Sequence, residues 1–250
     1  MLWRCMLHPA GGTSLQRSIG FFFLKLDVSV ALASDTAVRV PLPISFPFNL
    51  SELHHTDIYR RVFHYAHLPL LLCANALLWC NDDSSPHRPI DSWMQLVDEL
   101  ERWYRMRPQE FQPMLELDSR DRMIDGNFPV ILFTNGAGIF GNQLYHTAML
   151  LLLLNKPRTA RVDDSHSRPS VISPLWHAQR ICSIALHNDR RECWDLCLLA
   201  SFLVAARRMR HESQQQEILH GFARIKSLTG WDVGELLNDL RQEWCIREGA

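Results

Sequence analysis

From Asp91 the apolar positions Trp93, Leu96, Val97, Leu100, Trp103 and Tyr104 recur at spacings of three and four. That is the signature of one buried helical stripe. Ser92 followed by Gln95 supplies a capping-box start, and Pro108 marks the far end. The stretch "SPLWHAQRICSIAL" predicts a second helix, with Ser173 as cap, Pro174 at the first helical position and a stripe through Trp176, Ile181, Ile184 and Ala185. Helical patterns then run over Cys193 to Met209 and over Gln214 to Leu228, the latter with Ile218, Phe222 and Ile225 inward. Gly230 suits a C′ stop, and Asp232 with Glu235 suits the start of a last helix buried through Leu236, Leu237, Leu240 and Trp244. Residues 1–48 lack such periodicity, and Pro41, Pro43 and Pro47 forbid a regular helix there. The expected architecture is therefore an all-α multi-helix array of about seven or more helices. An irregular lead-in (1–48) precedes a helical domain (49–250). Two polar stretches, 81–89 and 156–170, read as exposed loops.

One stretch departs from this monotony. "FPVILFTNGAGIFGNQLYHTAMLLLLL" carries Gly136, Gly138 and Gly141 as G-x-G-x-x-G between an apolar run and a Leu-rich helix. A dinucleotide site would also need a parallel sheet and an acidic residue closing a second strand, for which only "ARVDD" (Asp163, Asp164) offers itself. Helix after helix follows from Ser173 to Trp244, and Met149 to Leu154 is apolar all round. The glycines are expected to form a flexible turn that admits the chain to a buried helix starting near Asn142. A nucleotide-dependent oxidoreductase using Gly136–Gly141 stays as the alternative reading.

Composition changes the picture little. The 250 residues are 47% hydrophobic and 21% charged, with net charge −1, so no global electrostatic attraction to nucleic acid is built in. The densest basic run, Arg207, Arg208 and Arg210, reads as a solvated face. Seven cysteines (5, 73, 80, 182, 193, 197 and 245) form no C-x-x-C pair and fit buried, reduced thiols. The apolar segment Phe21 to Ala33 superficially suits a signal peptide, giving a second alternative, a secreted helical binding protein cleaved near Ala33; Lys25 and Asp27 interrupt it. No membrane span is indicated.

Candidate chemistry is sparse. The chain has no G-x-S-x-G, no H-E-x-x-H and no G-x-x-x-x-G-K, and no second histidine completes His211-Glu212 as a metal pair. His54 and His55 read as surface residues at a helix start, and His146, His177 and His187 as hydrogen-bonded core histidines. Trp93, Trp103, Trp176, Trp231 and Trp244 read as core, with Trp103 and Trp231 as anchors whose truncation to Ala should cost about 3–5 kcal/mol each. No catalytic, cofactor-binding or metal residue is assigned.

The order of segments says more than any one of them. "WMQLVDELERWYRMRPQEFQPMLEL", then "FPVILFTNGAGIFGNQLYHTAMLLLLLNKPR", "SPLWHAQRICSIALHNDRRECWDLCLLASFLVAARRM" and "QQQEILHGFARIKSLTGWDVGELLNDLRQEW" follow one another. This succession resembles the C-terminal regulatory region of fungal-specific transcription factors of the zinc binuclear cluster class, over residues 90–246 with a weaker match back to about 50. Trp103 to Pro108 with Pro113, Phe128-Pro129, Tyr145-His146, Ala178 to Ala185 and Thr229-Gly230-Trp231 carry it. The resemblance implies a nuclear, non-enzymatic regulatory domain. It would act through small effectors, through the transcriptional machinery or other regulators, or as a homodimer, away from any membrane. In that family DNA is read by a separate six-cysteine module holding two zinc ions. The C-x2-C-x6-C pattern is missing here, as are a lysine-rich linker and heptads before Leu50. No zinc and no direct DNA binding are therefore expected of this chain. A truncated product, a paralogue that lost the module, and a gene model with a non-native residues 1–48 all fit.

Overall fold

The computed structural model describes residues 14–42, 57–81, 89–117, 128–158 and 173–248. Among them the fold is all-α, with eight helices: α1 (Ser14–Ser34), α2 (Ile58–Cys80), α3 (Ile90–Met106), α4 (Gly136–Leu154), α5 (Pro174–His187), α6 (Leu196–Ala206), α7 (Glu212–Thr229) and α8 (Gly234–Glu248). A short antiparallel ribbon joins β1 (Leu115–Leu117) to β2 (Val130–Leu132), pairing Glu116 with Ile131.

Helix α4 is the axis of the core and packs against α2, α3, α5 and α6. From Gly138 to Leu153 every residue is buried, including Asn142, Gln143, His146 and Thr147. Such polar groups are tolerated inside only when bonded, and each reaches a neighbour. Asn142 Nδ2 donates to the carbonyls of Phe111 (2.7 Å) and Gly138 (2.8 Å). Gln143 Nε2 donates to Leu198 O at 2.8 Å, and Thr147 Oγ1 to Gln143 O at 2.8 Å. Both α2 and α4 are long and apolar enough to cross a membrane by length and composition; in the fold 67% and 89% of their most apolar stretches are buried inside the protein.

Helix α2 contains Pro69, which has no N–H for the carbonyl of Tyr65 four residues earlier. The indole of Trp103 supplies that missing donor, its Nε1 bonding Tyr65 O at 3.0 Å inside the core. Trp103 is fully buried, between Phe111 (edge-on, 6.2 Å) and Tyr145 (stacked, 5.7 Å). Trp93 and Trp244 act alike, donating to Leu152 O (2.9 Å) and Ala206 O (3.3 Å). Trp231 departs from the expectation of a core anchor: it lies only partly buried against the core edge, because the Gly230 stop turns the chain outward there.

Several predicted boundaries hold. Ser173 Oγ accepts from Trp176 N, Pro174 opens α5, and Gly230 (φ 76°) closes α7 with its N–H on Lys226 O. Asp232 Oδ1 accepts from Gly234 N at the start of α8.

Three expectations need correction. The lead-in is not irregular over Ser14–Ser34, where α1 forms and packs on α6 and α2. Its Phe21, Leu24, Val28, Ala31 and Leu32 enter the core. The outer face is also apolar, with Ile19, Phe22, Phe23 and Val30 exposed, and an all-round apolar helix shows no stripe. Cleavage near Ala33 would remove those five core side chains. Second, α3 starts at Ile90 after Pro89 without a side-chain cap, and Gln95 bonds Glu99 rather than completing a capping box. Third, α4 starts six residues before the expected Asn142. Residues 82–88 and 159–172, with Asp163 and Asp164, lie outside the described residues, as do His54, His55 and Cys5.

Candidate functional site

The glycine triplet is not a flexible turn but the first two turns of α4. Asn135 caps it, Oδ1 accepting from Gly138 N at 2.8 Å while Nδ2 donates to Glu110 O at 2.8 Å. A Cβ on Gly138 would lie 3.0 Å from the backbone oxygen of Glu110 and 3.2 Å from Phe133. On Gly141 it would lie 3.0 Å from Trp103 and 3.3 Å from Phe111, whereas Gly136 faces open space. Two of the three glycines therefore sit where a side chain would crowd its neighbours, and the space where a phosphate would meet the helix N-terminus holds the Asn135 amide. The strand before them pairs antiparallel with β1, unlike the parallel unit a dinucleotide fold needs.

Beside it lies a buried polar cluster. Arg180, on α5, pairs with Glu116 of β1 at 2.6 Å and lies 4.7 Å over the Trp176 ring. Its Nε donates to His146 Nε2 at 3.3 Å. A guanidinium can only donate, so that imidazole nitrogen accepts and the His146 proton sits on Nδ1. Nδ1–H then donates to His177 Nδ1 at 2.9 Å, which fixes the His177 proton on Nε2. Complete burial, with the Arg180 guanidinium beside it, holds the His146 pKa well below the ordinary histidine range, so the ring is neutral. Next to it Tyr145 donates to Glu101 at 2.9 Å and stacks on Tyr104 at 4.4 Å. His146 and His177 are thus the bonded core histidines the sequence suggested. His187 is half-buried, with Nδ1 2.8 Å from Ser183 O. The cluster ties β1, α3, α4 and α5 together, and both His146 ring nitrogens are engaged.

Of the cysteines expected to be buried, Cys73, Cys182, Cys193 and Cys197 are so, whereas Cys80 is half-buried and Cys245 exposed. Cys73, Cys182 and Cys197 are buried, and burial pushes their thiols well up. Among the described residues no group of three or more His, Cys, Asp or Glu is placed to hold a metal ion.

A cleft of about 310 Å³ opens where helix ends converge. Leu154 closes α4, Pro174, Leu175 and Gln179 belong to α5, and Gln214 belongs to the first turn of α7. Arg208, Arg210 and His211 come from the α6–α7 connection. Of the expected solvated arginines, Arg207 instead pairs with Glu243 at 3.1 Å, while Arg208 and Arg210 line this cleft. Helix α5 carries Leu175 and Gln179 on the cleft side and His177 and Arg180 on the opposite, buried side. A bound molecule would thus press on the element that anchors the His146 cluster. Sequence reasoning missed this site. Its residues are scattered over three segments, and the one local signal was Arg208-x-Arg210-His211 just before a helix start.

No protein-family model, no curated protein and no solved structure matches the chain.

Proposed function

We propose that this chain is a non-enzymatic helical regulatory domain of the fungal transcription factor kind. It works in the nucleus on the transcriptional machinery or other regulators and responds to a small effector. The observation that carries the reading is the cleft. Its volume of about 310 Å³ lies at the lower end of small-ligand sites, and its lining joins the apolar Leu154, Pro174 and Leu175 to polar side chains. The order of the segments from Trp93 to Trp244, which resembles that of fungal regulators, supports the choice of functional class. Helix α5 links the cleft to the buried cluster, which suits a domain that converts occupancy into altered contacts. In this reading the chain contributes no DNA contact and no zinc site, both of which belong to a separate module.

The test is a tethered reporter. The full chain is fused to a heterologous DNA-binding module in a fungal host, and transcription from a promoter carrying its site is measured. The expected outcome is a change in output relative to the DNA-binding module alone. Equal output at equal protein level refutes the reading.

A further inference from the structure

We propose that Ser213 is a phosphorylation site, modified by a serine kinase that reads basic residues ahead of its target. The proposal goes beyond the effector reading and does not depend on it. Three hydroxyl residues of the chain have an arginine three positions earlier: Ser183, Ser213 and Ser227. Only Ser213 has a second arginine five positions earlier, in the stretch "RMRHES" that runs from Arg208. Kinases select substrates by such charge patterns, because carboxylates in the substrate groove grip guanidinium forks.

The fold separates the three candidates. Ser183 is fully buried, and its hydroxyl donates to the Pro129 carbonyl. Ser227 is exposed but lies in the last turn of α7, where a phosphate would oppose the negative end of the helix dipole. Ser213 is exposed in the first turn of the same helix, where the dipole favours added negative charge. Ahead of it, Arg208 and Arg210 are exposed on either side of the buried Met209. That alternation is the one an extended segment gives, and it turns both guanidinium groups outward.

Access needs only the fraying of a helix end. The N–H groups of Glu212, Ser213 and Gln214 precede the first backbone bond of α7, Gln215 N to His211 O at 3.0 Å, and no side chain caps the helix. Drawing residues 210–214 into a kinase groove therefore opens the first turn and uncovers Gln214, the one buried side chain among them. In the transfer, Ser213 Oγ attacks the γ-phosphorus of ATP. The new O–P bond forms as the bond from that phosphorus to the bridging oxygen breaks. ADP leaves, and the hydroxyl proton passes to the aspartate base of the kinase.

The full chain is incubated with protein kinase B and magnesium ATP, and the phosphate is located by tandem mass spectrometry. Phosphate is expected on Ser213, and incorporation should fall to background in Ser213→Ala. Arg210→Gln should slow labelling by about tenfold through loss of one charge-assisted pair, and Ser227→Ala should label like the unaltered chain. Far-UV circular dichroism of each variant before labelling checks the fold. Incorporation that survives Ser213→Ala, or a rate indifferent to Arg210→Gln, overturns the assignment. Labelling of a peptide of residues 206–219 but not of the full chain also overturns it, since the first turn of α7 would then stay closed.

Discussion

Trp103 and Pro69 should be energetically coupled, although 34 positions separate them in sequence. Pro69 leaves the Tyr65 carbonyl without its helical donor, and Trp103 Nε1 fills the vacancy at 3.0 Å. Trp103→Phe keeps an aromatic ring but removes the N–H. An orphaned buried carbonyl costs about 1–3 kcal/mol, and the smaller ring leaves a cavity that adds about 1 kcal/mol. The expected loss is therefore about 2–4 kcal/mol. In a Pro69→Ala background the backbone N–H gained at that position reaches Tyr65 O, so only the cavity part remains. The double-mutant cycle should show a coupling of about 1–3 kcal/mol, above the roughly 0.5 kcal/mol scatter expected of independent sites. Urea unfolding of the four proteins, followed by far-UV circular dichroism with a shared m-value, measures it. Additivity within about 0.5 kcal/mol would mean that the indole does not complete the α2 ladder.

Further tests address the other assignments. Trp103→Ala should cost about 3–5 kcal/mol, and Trp231→Ala clearly less, since that ring is only partly buried. Gly141→Ala drives a methyl against Trp103 and Phe111, which should outweigh the helix-propensity gain and cost about 1 kcal/mol net. Gly136→Ala meets nothing within 4 Å and should be neutral or slightly stabilising; equal effects of the two changes in urea melts would sink the packing explanation. His67 lies between Phe21 and Phe63, ring centroids 4.2 and 4.1 Å away, and burial lowers its pKa from 6.5 to about 4. Its folded value is below the unfolded one, so its contribution is full above pH 6.5 and is lost as pH falls toward 4. That loss is about 3 kcal/mol at most. Stability measured across this window should flatten in His67→Gln; an unchanged slope contradicts the assignment.

Much of the fold was legible because most helices bury one stripe and announce their ends. Ser173-Pro174, Gly230 and Asp232 each sit where the local chemistry placed them. Helix α1 was hidden by apolar residues on both faces, which erase the helical period. The start of α4 was misplaced because glycine propensity argues against a helix, while the Asn135 cap and the contacts with Glu110, Trp103 and Phe111 override it. The bonded state of His146 could be anticipated from its apolar helix. Its partners could not, because His177, Arg180 and Glu116 come from other elements. The cleft was illegible for the same reason: it exists only where separate helix ends meet.

The regulatory reading is tested most directly by carrying the cleft variant into the tethered reporter. Leu175→Asp alters an exposed side chain on the cleft face of α5 and leaves the buried face intact. At wild-type protein level and wild-type helicity, output should shift away from that of the unaltered chain. Identical output from both proteins would contradict a regulatory role for the cleft.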